Sequence, residues 1–192
     1  MKLEIRKLAP GMAEDYVRFF DETPHYHGVA EQKCYCVCFA GADSEGVDFS
    51  TAEKRRALAA EYVRDGALQG YLAAVDGRIV GWCNANERGN CVKCLSWRMF
   101  MQKVPLDGAR VKSVFCFAVA PEMQRKGVAT ALLERVCEDA KAEGYDFVEV
   151  YPNRTFVDTA EEFHGPLEMY RRSGFEVAEE IDGMLVMRKS LR

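Results

Sequence analysis

The segment Val119–Leu133, VAPEMQRKGVATALL, carries the residue pattern with the clearest chemical use in this chain. An apolar run ends at Pro121, the cations Arg125 and Lys126 follow, and Gly127 stands directly before a run with helical periodicity. A helix that begins straight after a strand exposes its first main-chain N–H groups, which bind anions together with the positive end of the helix dipole. Gly127 lets a ligand approach the backbone because it has no Cβ. The pattern predicts a phosphate-binding turn, and a surface turn capped by Gly127 is the alternative.

The elements around this turn can be read from the apolar periodicity. The stretch 111–120, VKSVFCFAVA, is apolar almost throughout and predicts a strand covered on both faces. A helix from Gly127 to about Glu143 carries an apolar stripe at helical spacing, and 145–150 predicts the next strand. Two Asp-Gly pairs, at 76–77 and 182–183, each stand between apolar runs and predict β-hairpins with type I′ turns. The standard nucleotide motifs GxGxxG and GxxxxGK[ST] are absent.

The first half of the chain supplies fewer signals. Residues 3–8, LEIRKL, predict a strand that precedes an amphipathic helix. Residues 33–40, KCYCVCFA, alternate with a period of two and predict a short strand or extended segment. Ser50, three residues before Glu53, predicts a capping box that starts the next helix.

The later connections complete the order of elements. The stretch 87–110 has no clear period and predicts irregular structure. A helix is predicted around Glu161–Ser173, with Gly174 at its C′ position. The resulting order, β-α-(β)-α-β-β-β-α-β-α-β-β, predicts an α/β (α+β) fold with a mixed sheet, in a single domain over residues 1–192.

Composition excludes several classes of function. The 192 residues are 48% apolar and 29% charged, with a net charge of −4, which is typical of a soluble globular protein. No polybasic run predicts a nucleic-acid or membrane surface. No apolar run has the form of a signal peptide or a membrane span, so the sequence predicts a cytoplasmic protein.

The phosphate-binding turn resembles a known motif. Gln124-Arg125-Lys126-Gly127-Val128-Ala129 fits [QR]-x-x-G-x-[GA], the acyl-CoA-binding motif of the GNAT superfamily of N-acetyltransferases. A second landmark, EMYRRSGFEV at 168–177, is similar to the Tyr and Gly-Phe segment that follows later in that family. The order of elements matches from Lys2 to Leu191. The resemblance implies a GNAT fold: a mostly antiparallel sheet of about seven strands, splayed between the fourth and fifth, with helices on both faces.

The resemblance also implies acetyl-CoA as co-substrate, without a metal. The pantetheine arm would lie between the strands at 115–120 and 146–151 and bond to exposed backbone of Phe117 and Val119, much as an added strand would. The main-chain N–H groups of 125–130 would wrap the pyrophosphate. The implied cofactor-binding residues are Phe117, Ala118, Val119, Arg125, Lys126, Gly127, Val128, Ala129 and Thr130.

The implied reaction is attack of an amine on the thioester carbonyl. Tyr170 matches the position of the acid that often protonates the departing thiolate in the family, and a packed tyrosine is the alternative. The base that takes the proton of the amine stays open between Glu87, Glu149, His25, His27 and a chain of water molecules.

The sequence departs from the family at one place. Many members carry an asparagine about seven residues before the tyrosine, where this chain has Phe163. Asn153 lies earlier, before an apparent insertion. His164 and Gly165 are candidates to line the site, with a turn before Pro166 as the alternative.

Eight cysteines, which we expect to be thiols, leave two further alternatives open. Cys34, Cys36 and Cys38 form a CxCxC pattern, and Cys91 and Cys94 a CxxC pattern, which suit a metal or a redox pair. No histidine stands at ligand spacing beside them, and cysteine is also a small apolar residue, so we favour thiols that line an acceptor pocket.

Four aromatic residues, Tyr35, Phe39, Trp82 and Trp97, could form apolar pocket walls. Core packing is the alternative, and it is favoured for Trp82, which lies in the first hairpin.

The sequence therefore predicts an N-acetyltransferase that moves an acetyl group from acetyl-CoA to a primary amine of a small molecule. The alternatives are acetylation of a protein amino group, an acyl-CoA-binding regulatory domain without turnover, and a thiol- or metal-dependent sensor. Pairing of two copies through the terminal strands is a further prediction from the resemblance.

Overall fold

The computed structural model describes residues 2–24, 28–91, 93–95, 98–104, 108–155 and 162–192. Its strands are β1 (Leu3–Lys7), β2 (Gly70–Val75), β3 (Arg78–Glu87), β4 (Val111–Val119), β5 (Phe147–Val150), β6 (Glu176–Ile181) and β7 (Met184–Ser190). Its α-helices are α1 (Ala13–Glu22), α2 (Ala52–Arg64), α3 (Arg88–Cys91), α4 (Arg98–Lys103), α5 (Val128–Ala142) and α6 (Leu167–Arg172).

The seven strands form one sheet in the order β1-β2-β3-β4-β5-β7-β6. Neighbouring strands run antiparallel except β4 and β5, which are parallel. Both Asp-Gly turns have positive φ at their two residues, 50° and 82° at 76–77 and 53° and 83° at 182–183, as type I′ turns require. The predicted hairpins and the mixed, mostly antiparallel sheet are confirmed.

A β-bulge in β4 opens the sheet. Asn84 pairs with Cys116 and Ala85 with Val114, so Phe115 is an extra residue in β4. Phe115 and Cys116 therefore both face the side of the sheet that carries α1 and α2. A bulge bends its strand. Pairing of β4 with β5 covers only 111–114, and β4 continues to Val119 without β5 beside it. The predicted splay between the fourth and fifth strands is confirmed.

Apolar side chains cover both faces of the sheet. One cluster packs α1 and α2 on the sheet around Trp82 and Phe115. The other packs α5 and α6 around Leu132, Val148 and Tyr170. The predicted arrangement of helices on both faces is confirmed.

The prediction of an extended segment at 33–40 is wrong. Tyr35 and Cys36 have φ of 46° and 56°, in the left-handed region that ends an extended run, and a 3₁₀ turn follows at Val37–Phe39. The segment folds over the sheet between α1 and α2, so Cys36 is buried together with the aromatic residues. An alternating pattern cannot distinguish a strand from such a buried turn.

Two helices start at residues that differ from the predicted ones. The cap of α2 is Thr51, whose hydroxyl accepts from Lys54 N at 3.3 Å, rather than Ser50. Helix α6 begins at Leu167, several residues after the predicted start, because Pro166 at its N-cap has extended backbone. Two short helices, α3 and α4, lie in the stretch predicted to be irregular. None of the helices in the described part of the chain is long and apolar enough to cross a membrane.

Candidate functional site

A cleft of about 960 Å³ lies in the gap between β4 and the segment 162–166, with the start of α5 at one end. All the predicted cofactor-binding residues line the cleft except Lys126, which is exposed beside it. The end of α1 and the residues after it, among them Phe20 and Pro24, form another part of the wall. The cleft therefore joins the predicted phosphate turn to the splayed strand.

The start of α5 presents main-chain donors to this cleft. Gly127 is the N-cap residue, with φ of 83°, and a Cβ at this position would meet no atom within 4 Å. Arg125 also has positive φ, 57°, and is exposed at the rim. The first three N–H groups of a helix have no partner inside it, here those of 128–130. With the dipole of a helix of 15 residues behind them, they can hold an anion.

The free edge of β4 offers main-chain groups along the cleft. Ala120 N donates to Val80 O of β3 at 2.9 Å, so by alternation the N–H of Val119 points to the cleft. The carbonyl of Val119 accepts from Gln124 Nε2 at 3.3 Å. The backbone N–H of Phe117 was predicted to be exposed for the pantetheine arm, but it already donates to Phe163 O at 2.7 Å. The N–H of Val119 is therefore the strand donor left for a ligand.

The segment 162–165 is fixed across β4 at two points. Besides the bond from Phe117 to Phe163, the ring of His164 donates from Nδ1 to Phe115 O at 2.7 Å. A carbonyl oxygen only accepts, so Nδ1 carries the proton. Burial lowers the pKa of His164 to about 4, so the ring is neutral at neutral pH. His164 is buried next to the cleft, whereas Gly165 lines it.

Tyr170 lies directly behind Gly165. The side chain is fully buried, and its hydroxyl donates to His164 O. Burial raises the pKa of Tyr170 well above its usual value, so the hydroxyl keeps its proton. A Cβ at Gly165 would come within 2.8 Å of the hydroxyl oxygen. The hydroxyl of Tyr170 therefore packs against Gly165, which itself lines the cleft.

Two of the predicted base candidates lie away from the cleft. Glu149 is fully buried, and its carboxylate is bound by Arg88 at 3.1 Å, Arg188 at 2.6 Å and the hydroxyl of Tyr151 at 2.6 Å. Its oxygens are thus engaged in a structural network. Glu87 pairs with the start of β4, five residues before Phe117 and about 16 Å along the strand. His25 and His27 lie outside the described residues.

Glu162 is the acidic residue that sequence reasoning missed. It lines the cleft and is 9% exposed, and its Oε1 accepts from Asn153 Nδ2 at 3.4 Å. Asn153 forms a bridge with Met184 of β7. Nothing local in the sequence marks Glu162, because only the path of the chain after β5 brings it to the cleft.

The cysteines are free thiols, as expected. Burial raises the pKa of the Cys83 thiol well above its usual value, and burial with a hydrogen bond to Cys94 does the same for Cys91. The pKa of Cys116 is also raised well above its usual value, by a hydrogen bond with Cys36 and then by burial. Buried thiols of this kind react poorly. Cys116 alone of the eight lines the cleft. Among the described residues, no group of three or more Cys, His, Asp or Glu side chains is arranged to hold a metal ion.

The predicted aromatic walls are mostly core. Tyr35, Phe39 and Trp82 are at most 5% exposed, and Trp82 packs edge-on against Tyr16 with ring centres 4.9 Å apart. Core packing of Trp82 is thus confirmed, and Trp97 lies outside the described residues.

Comparison with known proteins adds independent findings. A model of the acetyltransferase (GNAT) family matches residues 29–175. An uncharacterized N-acetyltransferase of Methanocaldococcus jannaschii is 28% identical over 123 residues, which are 63% of this chain and 45% of that protein. The match therefore spans less than half of the relative's length.

Solved structures share the fold. The PaiA N-acetyltransferase of Thermoplasma acidophilum, in complex with coenzyme A, is similar with a TM-score of 0.55 and 17% identity over 99% of both chains. An N-acetyltransferase of Staphylococcus aureus Mu50 is similar with a TM-score of 0.55 and 13% identity over 100% of both chains.

Proposed function

This chain belongs to the GNAT family of acetyltransferases, and from that premise we propose that it transfers an acetyl group from acetyl-CoA to a primary amine of a small molecule. One observation carries the proposal: a cleft runs from the open Gly127 at the start of α5 along the unpaired edge of β4. A diphosphate suits the first end, and an extended amide chain suits the second.

The cofactor uses main-chain donors in this proposal. The N–H groups of 125–130 hold the pyrophosphate, and Arg125 adds a positive charge at the rim. The pantetheine arm accepts from Val119 N–H and runs beside Ala118 toward Phe117. The thioester then lies at the inner end of the cleft, where Cys116 and Phe117 line it.

The chemistry is direct attack. The amine, once neutral, attacks the thioester carbonyl, and the C–S bond breaks. The departing thiolate takes a proton from the hydroxyl of Tyr170, which packs against Gly165 in the wall of the cleft. The raised pKa of Tyr170 keeps that proton available at neutral pH.

The acceptor is a small molecule in this proposal because residues at the end of α1 help to wall the cleft, leaving it partly closed. For a more open cleft, a protein amino group is the alternative acceptor. If Tyr170 does not act as an acid, binding of acyl-CoA without turnover is the alternative function. Pairing of two copies through the terminal strands stays a prediction, which the exposed edge strand β6 permits.

Release of free thiol from acetyl-CoA in the presence of a panel of primary amines tests this function. We expect at least one amine to accelerate release, and Tyr170→Phe to lower kcat by about 10²-fold with the KM for acetyl-CoA little changed. Tyr145→Phe is the matched control, because that hydroxyl bonds to Glu87 at the far end of the sheet. Failure of every amine, with coenzyme A still bound tightly, would favour the regulatory alternative.

A further inference from the structure

The inner end of the cleft is closed by the segment 162–165, which lies beside the part of β4 that has no β5 next to it. Phe163 O accepts from Phe117 N–H at 2.7 Å. One residue further along each chain, the ring of His164 donates from Nδ1 to the carbonyl of Phe115 at 2.7 Å. A ligand that enters at the phosphate end and follows β4 therefore meets this segment beside Phe117.

The residue at this closed end of the cleft is aromatic. Phe163 lines the cleft and is partly exposed. Its ring centre lies 4.1 Å from that of His164 and 6.1 Å from that of Phe39. His164 and Phe39 are at most 5% exposed. Of these three rings, Phe163 alone belongs to a residue that lines the cleft.

The rings next to Phe163 form an apolar, stacked cluster. Phe39 stacks on Phe115 with ring centres 5.4 Å apart and an angle of 10° between the planes. Phe115 stacks in turn on Tyr151, at 5.2 Å and 20°. Removal of the Phe163 ring would leave a space bounded by such rings, and apolar cavities of this kind stay dry and take up small apolar groups.

We propose that Phe163 limits the acyl group of the donor to short chains. This inference rests on the proposed acetyl transfer and names the donor class, an acyl-CoA whose acyl group is about as small as acetyl. With the pantetheine arm on Val119 N–H and the thioester beside Phe117, the acyl carbons continue toward Phe163. An acetyl group ends there. Each further methylene must displace a ring that packs on buried neighbours, and such overpacking is unfavourable.

Calorimetric titration of acetyl-CoA and hexanoyl-CoA tests this role without an acceptor. We expect the wild type to bind hexanoyl-CoA about tenfold more weakly than acetyl-CoA. Phe163→Ala should bind hexanoyl-CoA at least as tightly as acetyl-CoA, because the added methylenes are then buried in the space that the ring has left. Phe163→Leu should fall between the two. Unchanged affinity for coenzyme A itself shows that a variant keeps its cofactor site.

Phe147→Ala is the matched control. Phe147 is also a partly buried phenylalanine, but it lies on β5 opposite Val111, six residues and roughly 20 Å along β4 from Phe117. This variant should keep the wild-type preference for acetyl-CoA.

The outcomes separate this inference from the proposed function. Equal affinity of the wild type for both thioesters would overturn the inference, and so would a wild-type preference in Phe163→Ala. Should Phe163→Ala lose coenzyme A as well, the preference of Phe163→Leu decides in the same way. The expected preferences without transfer to any primary amine would overturn the proposed function and leave Phe163 as the residue that selects the bound acyl group. A wild type that does not bind coenzyme A would overturn both.

Discussion

Gly165 lines the cleft and packs against the hydroxyl of Tyr170, so the missing side chain matters there. A Cβ would come within 2.8 Å of the hydroxyl oxygen and 3.0 Å of Met169 Cε. Real Cβ atoms do not approach an oxygen so closely, so a larger residue must displace the tyrosine or the turn. A proton transfer from Tyr170 therefore depends on glycine at this position.

We predict that Gly165→Ala lowers kcat by about 10²-fold, because the methyl group blocks the hydroxyl and shifts it from its position. Steady-state kinetics with acetyl-CoA and an active amine would measure the effect. Gly174→Ala is the control, since Gly174 has nearly the same φ, 80° against 85°, with no atom within 4 Å of its Cβ. Both variants carry similar backbone strain. Wild-type turnover in Gly165→Ala would argue that Tyr170 only packs.

At the scale of elements, the site depends on β4, which pairs with β5 only over residues 111–114 and then separates from it. The bulge at Phe115 ends the pairing of β4 with β5, and the segment 162–165 fills the first part of the gap. The buried network around Glu149 anchors β5 to β7 and to α3. The cleft is thus the part of the gap that the chain leaves unfilled.

The attachment of 162–165 should make stability depend on pH. Burial lowers the pKa of His164 from 6.5 to about 4. The unfolded chain then binds more protons than the folded one between those values, so stability is full above pH 6.5 and falls as pH drops toward 4. We predict a loss of up to about 3 kcal/mol in the free energy of unfolding over this window from His164.

Urea unfolding at several pH values between 7 and 4.5 would measure this loss. His164→Gln, which keeps a side-chain donor but does not titrate, should give a flatter dependence than the wild type. Aspartates with lowered pKa, such as Asp21 and Asp146, add their own loss at lower pH in both proteins. Parallel curves for the two proteins would show that His164 is not the titrating group.

At the scale of the whole molecule, the sequence predicts those features that are determined by residues close together in the chain. Gly127 before an apolar stripe, and the two Asp-Gly turns, predict the phosphate turn and the hairpins because their conformations are set by neighbours in the chain. The left-handed turn at Tyr35 and Cys36, and the bulge at Phe115, follow instead from packing between distant elements. The position of Glu162 at the cleft cannot be predicted from the sequence for the same reason.

The proposed binding of coenzyme A depends on an anion held at the start of α5. Calorimetric titration of coenzyme A into the wild type, Gly127→Glu and Gly174→Glu tests it most directly. Both glycines have positive φ, 83° and 80°, and open space around a Cβ, so the variants match in strain and charge. We predict that Gly127→Glu weakens binding at least about tenfold, by placing a carboxylate among the phosphate donors, and that Gly174→Glu binds as the wild type. Equal affinities for all three proteins would contradict the account.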